Sequence, residues 1–370
     1  MVNNISFANY KSFKNLQQIE FKPITVLIGK NSSGKSAISK LLPLLSDSLS
    51  GKFLPAIKWD NRGIKLGLSN KDLVYNRVIT SILELDISNV EEKLEVSIGI
   101  DRKDRPNIFK WIYNGTTIDV ANKKFKGLTL DDIPFKDLQI NFDYIGPFRE
   151  IPKSGYSNSF ENYENIGIKG ENAYPILIQS FDNSNGLLNK VSKWYEDNFE
   201  GWKMEVIEVV APEPTFQIVL SNKNINQINI VNVGQGMNQA LPLIVRSYMS
   251  DVKEVRIVIE EPETHLHPAA HGNLAERFVD SYLENNNRKY LIETHSQNFL
   301  LRLRRLVAEQ KLKNEDLAIY YVDFIEETNE SIIQLIPVDE KGGVDWWPAG
   351  IFTETLTETR AIKDAQIKDK

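Results

Sequence analysis

Apolar residues open the chain in short runs separated by polar ones, at 5–9, 16–21 and 24–28, and each run has the length of a strand. The run Ile24-Thr25-Val26-Leu27-Ile28 is nearly continuous, the pattern of a strand buried on both faces. A polar break follows, and 37–45 then reads as a helix. Residues 46–70 are punctuated by Gly, Ser and Asn and read as a connection. The segments 78–87, 93–100 and 109–113 alternate or run apolar between turn residues, which predicts strands, and 139–145 predicts another, ended by Gly146-Pro147. Over 170–199 the spacing of Leu177, Leu187, Leu188, Val191, Trp194 and Tyr195 predicts helices. Strand-like pieces at 204–210 and 216–220 precede a helical pattern over 236–248.

The last third changes rhythm. Strand patterns at 255–259, 290–292 and 317–322 alternate with helical patterns at 268–282 and 298–309. Such alternation argues for a parallel sheet covered by helices, an α/β fold. No internal repeat, low-complexity tract or sustained heptad pattern is present, so no long coiled-coil arm is expected.

The polar break after the buried strand carries the chemistry. Gly29-Lys30-Asn31-Ser32-Ser33-Gly34-Lys35-Ser36 sets glycines, a lysine and a hydroxyl residue at the spacing of a phosphate-binding loop, and Ala37 opens the helix behind it. Glycines let backbone N–H groups turn toward phosphate oxygens, and a helix N-terminus adds partial positive charge. Lys35 is placed to reach the β- and γ-phosphates, and the Ser36 hydroxyl to hold Mg²⁺. The strand–loop–helix context favours a nucleoside triphosphate site over a plain glycine-rich turn.

Composition narrows the setting. The 370 residues can bury a large core or two to three lobes, and the net charge of -6 creates no global attraction to nucleic acid. The chain has no cysteine, which excludes disulfides, thiol catalysis and cysteine-bound zinc. The first residues lack an apolar signal core, and no apolar run has membrane-spanning length, so a cytoplasmic protein is expected. Arg302, Arg304 and Arg305 form a basic run that reads either as a phosphate-touching patch or as a solvated helix face, and the latter is preferred.

A second acidic motif completes the pattern. The apolar strand Val255-Arg256-Ile257-Val258-Ile259 delivers Glu260 and Glu261 at its end. Mg²⁺-dependent hydrolysis needs one carboxylate at the metal, here Glu260, and one to polarise the attacking water, here Glu261. A charged turn closing a strand is the alternative, and Glu263 could simply belong to that turn. All 4 histidines lie between 265 and 295. His295 follows a strand and is placed to reach a γ-phosphate or the water attacking it. Glu263, His265, His267 and His271 also suggest a transition-metal site, the basis of an alternative hydrolase reading.

These pieces occur in an order: the phosphate loop, then Asn232-Val233-Gly234-Gln235-Gly236-Met237-Asn238-Gln239, then Ile259-Glu260-Glu261-Pro262-Glu263-Thr264-His265-Leu266-His267-Pro268, then Glu293-Thr294-His295-Ser296. Asn9-Tyr10-Lys11-Ser12-Phe13, Tyr144-Ile145-Gly146-Pro147-Phe148-Arg149 and Trp347-Pro348-Ala349-Gly350-Ile351-Phe352 accompany them. The set resembles the ABC-type ATPase heads of the RecF, SMC and OLD (overcoming lysogenization defect) group. It is most similar to short bacterial OLD-like AAA ATPases without a Toprim nuclease domain.

The resemblance implies a P-loop NTPase with an ABC-ATPase-like head, a β-rich lobe and a helical signature lobe. It divides the chain into a discontinuous head over 1–340 and a C-terminal extension over 341–370. The head comprises a phosphate-loop half (1–50), the β-rich lobe (51–150), the signature lobe (151–250) and a Walker B and switch-histidine half (251–340). It implies ATP and Mg²⁺ as ligands and a homodimer that sandwiches ATP. Gly234, Gly236 and Asn238 would then contact the γ-phosphate held by the other copy, with Gln239 opening the signature helix. Glu260 and Glu261 would take the metal and water roles, and His295 would be the switch histidine. The histidine run 265–267 would face the dimer.

The signature lacks the usual serine at Gly234, the first acid is Glu rather than Asp, and only Arg149 or Glu150 stands near the place of a glutamine loop. The implied function is an ATP-driven switch acting on DNA or on a partner effector, in bacterial anti-phage defence or DNA maintenance. A low-turnover nucleotide-bound scaffold is the second reading. The large apolar residues Trp346, Trp347, Ile351 and Phe352 either pack on their own domain or anchor a partner, and packing is preferred.

Overall fold

The computed structural model describes every residue except 122, 131, 132, 134, 158–160, 162, 212, 369 and 370. The strand Ile24–Ile28 is buried along its whole length because strands flank it on both edges. Arg288–Glu293 pairs with it in parallel on one side and Leu317–Ile325 on the other. Val255–Glu260 and then Phe142–Ile145 extend the sheet in parallel beyond Arg288–Glu293. Glu330–Ile336 closes the opposite edge as an antiparallel hairpin with Leu317–Ile325. That last strand is not marked in the sequence pattern. Its exposed positions and edge location dilute the apolar signal.

Alternate residues of the central strands feed two cores, as the two-residue period of a strand requires. Ile24, Val26 and Ile28 face one core with Ile257, Ile259, Tyr290 and Ile292. Leu27, Val258, Leu291 and Ala318 face the other. The first core is covered by helices, including Gln235–Tyr248, Pro268–Glu284 and Gln297–Ala308. The second is covered by the helix Leu41–Leu49 and by a separate antiparallel sheet. The order in that sheet is Gln17–Glu20, Asn4–Ala8, Leu83–Ser88, Lys93–Ile100, Pro106–Tyr113 and Thr116–Thr117. The two N-terminal strands therefore join the antiparallel sheet, not the sheet of the phosphate loop.

Two local expectations change. The helix expected over 37–45 is two helices, Lys35–Ser39 and Leu41–Leu49. Pro43 lacks the N–H that would bond the carbonyl of Ser39, so the helical ladder is interrupted there. The strand expected from residue 78 begins at Leu83, and Val78, Ile79 and Ile82 are exposed.

A buried ion network joins the helix layer to the sheet. Arg246, only 2% exposed, donates from Nε to Asp143 at 2.6 Å and from both terminal nitrogens to Asp251 at 2.9 Å. Arg288 reaches the same Asp251 at 3.2 Å. Removing one partner strands a buried charge. Arg246→Met is therefore expected to destabilise the fold by about 3–5 kcal/mol, read as a lowered urea midpoint. An unchanged midpoint would show that the network contributes nothing to stability.

Candidate functional site

The phosphate loop needs its glycines for steric reasons. Gly29 has φ +149°, and a Cβ there would lie 2.1 Å from the carbonyl oxygen of Val322. Gly34 has φ +111°, and a Cβ would come within 2.8 Å of the Phe13 ring. Phe13 belongs to the N-terminal motif, whose Tyr10 hydroxyl also donates to the carbonyl of Ala37 at 2.8 Å. The motif at 9–13 thus braces the loop from behind. Lys35 is 3% exposed and donates from Nζ to the carbonyls of Gly29 at 3.0 Å and Lys30 at 2.7 Å. Burial lowers its pKa, with Glu293, Glu261 and Glu263 acting in the opposite direction. The Ser33 Oγ is buried without a hydrogen-bond partner, an orphan that an incoming phosphate oxygen would satisfy. Lys30, Asn31 and Ser32 are more open, and Ser32 holds φ +62°.

Carboxylates converge on this loop from two neighbouring strands. Val255–Glu260 and Arg288–Glu293 end in register, Glu260 opposite Glu293. Ser39 Oγ donates to Glu260 at 2.8 Å, and Lys40 Nζ lies 3.7 Å from the same carboxylate. Ser36 Oγ donates to Glu293 at 3.0 Å, with Lys35 Nζ at 4.0 Å. Burial first, and then the charge of Glu260, pushes the Glu293 pKa up to about 7, against the pull of Lys35 and Ser36.

Glu261 leaves the strand with φ +47°, unusual for a residue bearing a side chain. Its N–H donates to the carbonyl of Glu293 at 2.8 Å, and its carboxylate accepts from Thr264 Oγ1 at 3.1 Å. Ligand atoms of Glu261, Glu293 and His295 all lie within 4.8 Å of one another. His295 opens to solvent on one side, and the partial loss of water around its ring, followed by the charge of Lys35, lowers its pKa, which favours the neutral imidazole. Glu263 accepts from Thr294 Oγ1 at 2.8 Å and from the His295 N–H at 2.5 Å, so it shapes the loop that carries the histidine.

The remaining candidates lie elsewhere. The helix Gln235–Tyr248 begins one residue before the 236–248 pattern and one turn before Gln239, where the resemblance placed its opening, and Gly234 is its exposed N-cap. Gly236 packs against the loop after the acids, since a Cβ there would lie 2.8 Å from the carbonyl oxygen of His265. Asn238 is 7% exposed with Oδ1 unpartnered, so it faces inward. No residue of 232–239 lines the cavity at the phosphate loop.

Arg149 is buried and donates to the carbonyls of Glu260 at 3.1 Å, Glu261 at 2.7 Å and Gln239 at 3.5 Å. It thereby ties the acidic strand end to the signature helix. The histidine run has local work: His267 Nδ1 accepts from the Ala269 N–H at 3.3 Å, and His271 bridges Ser296 Oγ and the Leu266 carbonyl. In the basic run, Arg302 pairs with Glu276, Arg304 Nε donates to the Gly342 carbonyl, and Arg305 pairs with Glu309.

Two features were missed by sequence reading. Glu293 stands in the sequence only as the first residue of the motif Glu293-Thr294-His295-Ser296, although a carboxylate ending an apolar strand is the same signal that marks Glu260. The other is the wall of the cavity. A space of about 480 Å³ lies between Gly29, Lys30, Asn31 and His295 on one side and Gly350, Ile351 and Phe352 on the other. Ile351 is buried, Trp347 Nε1 donates to its carbonyl at 3.0 Å, and Trp346 Nε1 donates to the Leu335 carbonyl at 3.2 Å. The aromatic tail packs on its own domain.

The donor set fits a triphosphate with a hard divalent cation: a buried ammonium, an orphan serine hydroxyl, a second hydroxyl and oxygen-donor carboxylates. Ser36, Glu260 and Glu293 are the groups that could hold Mg²⁺. No helix among the described residues is long and apolar enough to cross a membrane.

Comparison with known proteins agrees with this geometry. Along 85% of the chain and 90% of the relative, the sequence is 23% identical to a protein of Helicobacter pylori (strain ATCC 700392 / 26695) named ATP/GTP phosphatase. The fold is similar to that of an Smc head bound to the C-winged helix domain of ScpA, with TM-score 0.57, 14% identity, and coverage of 92% of this chain and 98% of that one. It is also similar to an Smc head with an extended coiled coil bound to the C-terminal domain of ScpA from Pyrococcus furiosus, with TM-score 0.55, 12% identity, and coverage of 97% and 99%. The fold is thus that of an Smc head. Residues 312–362 match a family described as "Protein of unknown function (DUF3696)". Residues 24–302 match the family described as "AAA domain, putative AbiEii toxin, Type IV TA system", and the chain belongs to that family of ATPase domains.

Proposed function

We propose that this protein is a Mg²⁺-dependent ATPase of OLD-like type whose two copies close over ATP and open after hydrolysis. The observation that carries this reading is the convergence of Glu261, Glu293 and His295 beside the phosphate loop, with ligand atoms within 4.8 Å of one another. The loop 29–37 binds the phosphates, Lys35 exchanges its carbonyl partners for phosphate oxygens, and Ser36 and Glu260 hold the cation. The cation supplies charge neutralisation at the phosphates. Glu261 accepts a hydrogen bond from water, whose oxygen forms a bond to the γ-phosphorus as the bond to the bridging oxygen of ADP breaks. The water proton passes to the carboxylate or to the phosphate formed. His295, as the neutral imidazole, orients the γ-phosphate or the water. Gly234, exposed at the helix N-cap, Gly236 and Asn238 complete the site of the other copy, Asn238 after turning outward.

The head over 1–340 is the switch and 341–370 its C-terminal extension. The paired arginines of the basic run favour a protein effector over DNA as the object of the switch. Anti-phage defence is the setting the family description favours.

The test is the dependence of ATP turnover on protein concentration. A site built from two copies gives a specific activity that rises with concentration and then levels off. His295→Ala is expected to lower turnover about 100-fold, the effect of removing one oriented donor, while ATP binding stays near wild type. Specific activity independent of concentration would exclude the shared site. Stoichiometric zinc lost on His267→Ala would favour the histidine hydrolase instead.

A further inference from the structure

We propose that Glu293 is a second carboxylate of the divalent-cation site, binding the cation together with Ser36 and Glu260. The proposal deepens the nucleotide-site reading above and rests on it. The phosphate-loop serine and the first acid of the Glu260-Glu261 pair are the parts a nucleotide-hydrolysing site ordinarily uses. Glu293 comes from a different strand, the one between the phosphate-loop strand and the acidic strand.

Three observations carry it. Glu293 is 4% exposed, yet its side chain turns toward the loop, where Ser36 Oγ donates to it at 3.0 Å. The hydroxyl expected to bind the cation is thus already in contact with this carboxylate. The parallel register sets Glu293 directly opposite Glu260, and Ser39 Oγ lies 2.8 Å from a Glu260 oxygen and 3.5 Å from one of Glu293. A shared neighbour places both carboxylates around one small volume. Finally, a Glu293 oxygen belongs to the group with Glu261 and His295 whose ligand atoms fall within 4.8 Å.

Charge gives the reason for the arrangement. Two buried carboxylates side by side repel, and among the described residues their counter-charges within 4.0 Å are Lys35 at 4.0 Å from Glu293 and Lys40 at 3.7 Å from Glu260. When ATP enters, Lys35 is drawn to the phosphates, and the triphosphate adds negative charge beside Glu293. A divalent cation between them removes both repulsions at once. Without the cation, Glu293 opposes nucleotide binding, so the residue makes ATP affinity depend on the metal.

The alternative is that Glu293 only positions Ser36 by accepting its hydrogen bond. Glu293→Gln keeps an acceptor for that bond and removes the charge. Nucleotide binding is measured with a fluorescent ATP analogue in EDTA and with Mn²⁺, and Mn²⁺ affinity of the ATP complex by electron paramagnetic resonance. The expected result is ATP binding in EDTA as tight as wild type or tighter, with Mn²⁺ affinity lower by at least about 10-fold. Glu293→Asp, which keeps the charge on a shorter arm, is expected to fall between the two and serves if Glu293→Gln folds poorly. Mn²⁺ affinity within twofold of wild type in both variants overturns the proposal while leaving the nucleotide site intact. Equal weakening in EDTA and in Mn²⁺ also overturns it, in favour of the positioning role. Wild-type protein that binds no ATP in either condition removes the nucleotide-site reading and the proposal with it.

Discussion

Lys35→Ala is expected to abolish measurable ATP binding at concentrations where the wild-type protein saturates. In the folded protein the ammonium group is buried and donates to two loop carbonyls, at 3.0 and 2.7 Å, so its charge is fixed at the centre of the loop before nucleotide arrives. The substitution removes two charge-assisted bonds to phosphate, each worth about 1.5–3 kcal/mol. A loss of ~3 kcal/mol or more lowers affinity by at least about 100-fold. It also leaves the Gly29 and Lys30 carbonyls without their partner, so the loop itself is loosened. Isothermal titration with ATP and Mg²⁺ reads the effect directly. Wild-type affinity in this variant would show that the loop is a structural turn.

Glu261→Gln is expected to separate binding from turnover. The amide keeps the shape and the acceptor for Thr264 Oγ1 but loses the charge that polarises water. General-base catalysis contributes roughly 10²–10⁴-fold, so hydrolysis should fall by about that factor while ATP remains bound. Bound, unhydrolysed ATP then holds two copies together, and light scattering should show a dimer that forms with ATP and not with ADP. Unchanged turnover would move the water-polarising role to another carboxylate, Glu263 being next, although its carboxylate is occupied by Thr294 and His295. Trapped ATP without a dimer would keep the hydrolytic reading and remove the two-copy switch.

The parts of the site that lie on one continuous segment were legible from residue order. The loop 29–36 announces itself because glycine, lysine and serine must stand at fixed spacing to wrap a phosphate, and its strand and helix have local hydrophobic patterns. Glu260 and Glu261 were legible because two carboxylates ended an apolar run. Glu293 obeys the same rule, but a single acid at a strand end is common. Only its register opposite Glu260 and its contact with Ser36 single it out. Arg149 is similar: its sequence position put it, with Glu150, near the place of a glutamine loop, and its grip on three carbonyls became visible only in the fold.

By itself, the sequence determined the α/β class, the phosphate loop and the acidic end of the strand Val255–Glu260, since each is encoded by short-range spacing and periodicity, whereas the switch role of His295 is implied only by the family resemblance. Tertiary structure decided the rest. The choice between two sheets for the strands Asn4–Ala8 and Gln17–Glu20 rests on pairing with Leu83–Ser88, a partner far along the chain that no local pattern names. The inward turn of Asn238, the contacts of Arg302 with Glu276 and of Arg304 with Gly342, and the placement of Gly350, Ile351 and Phe352 against the phosphate loop are likewise long-range. Burial and charge pairing depend on which segments meet, and a linear pattern records only what each segment prefers before they do.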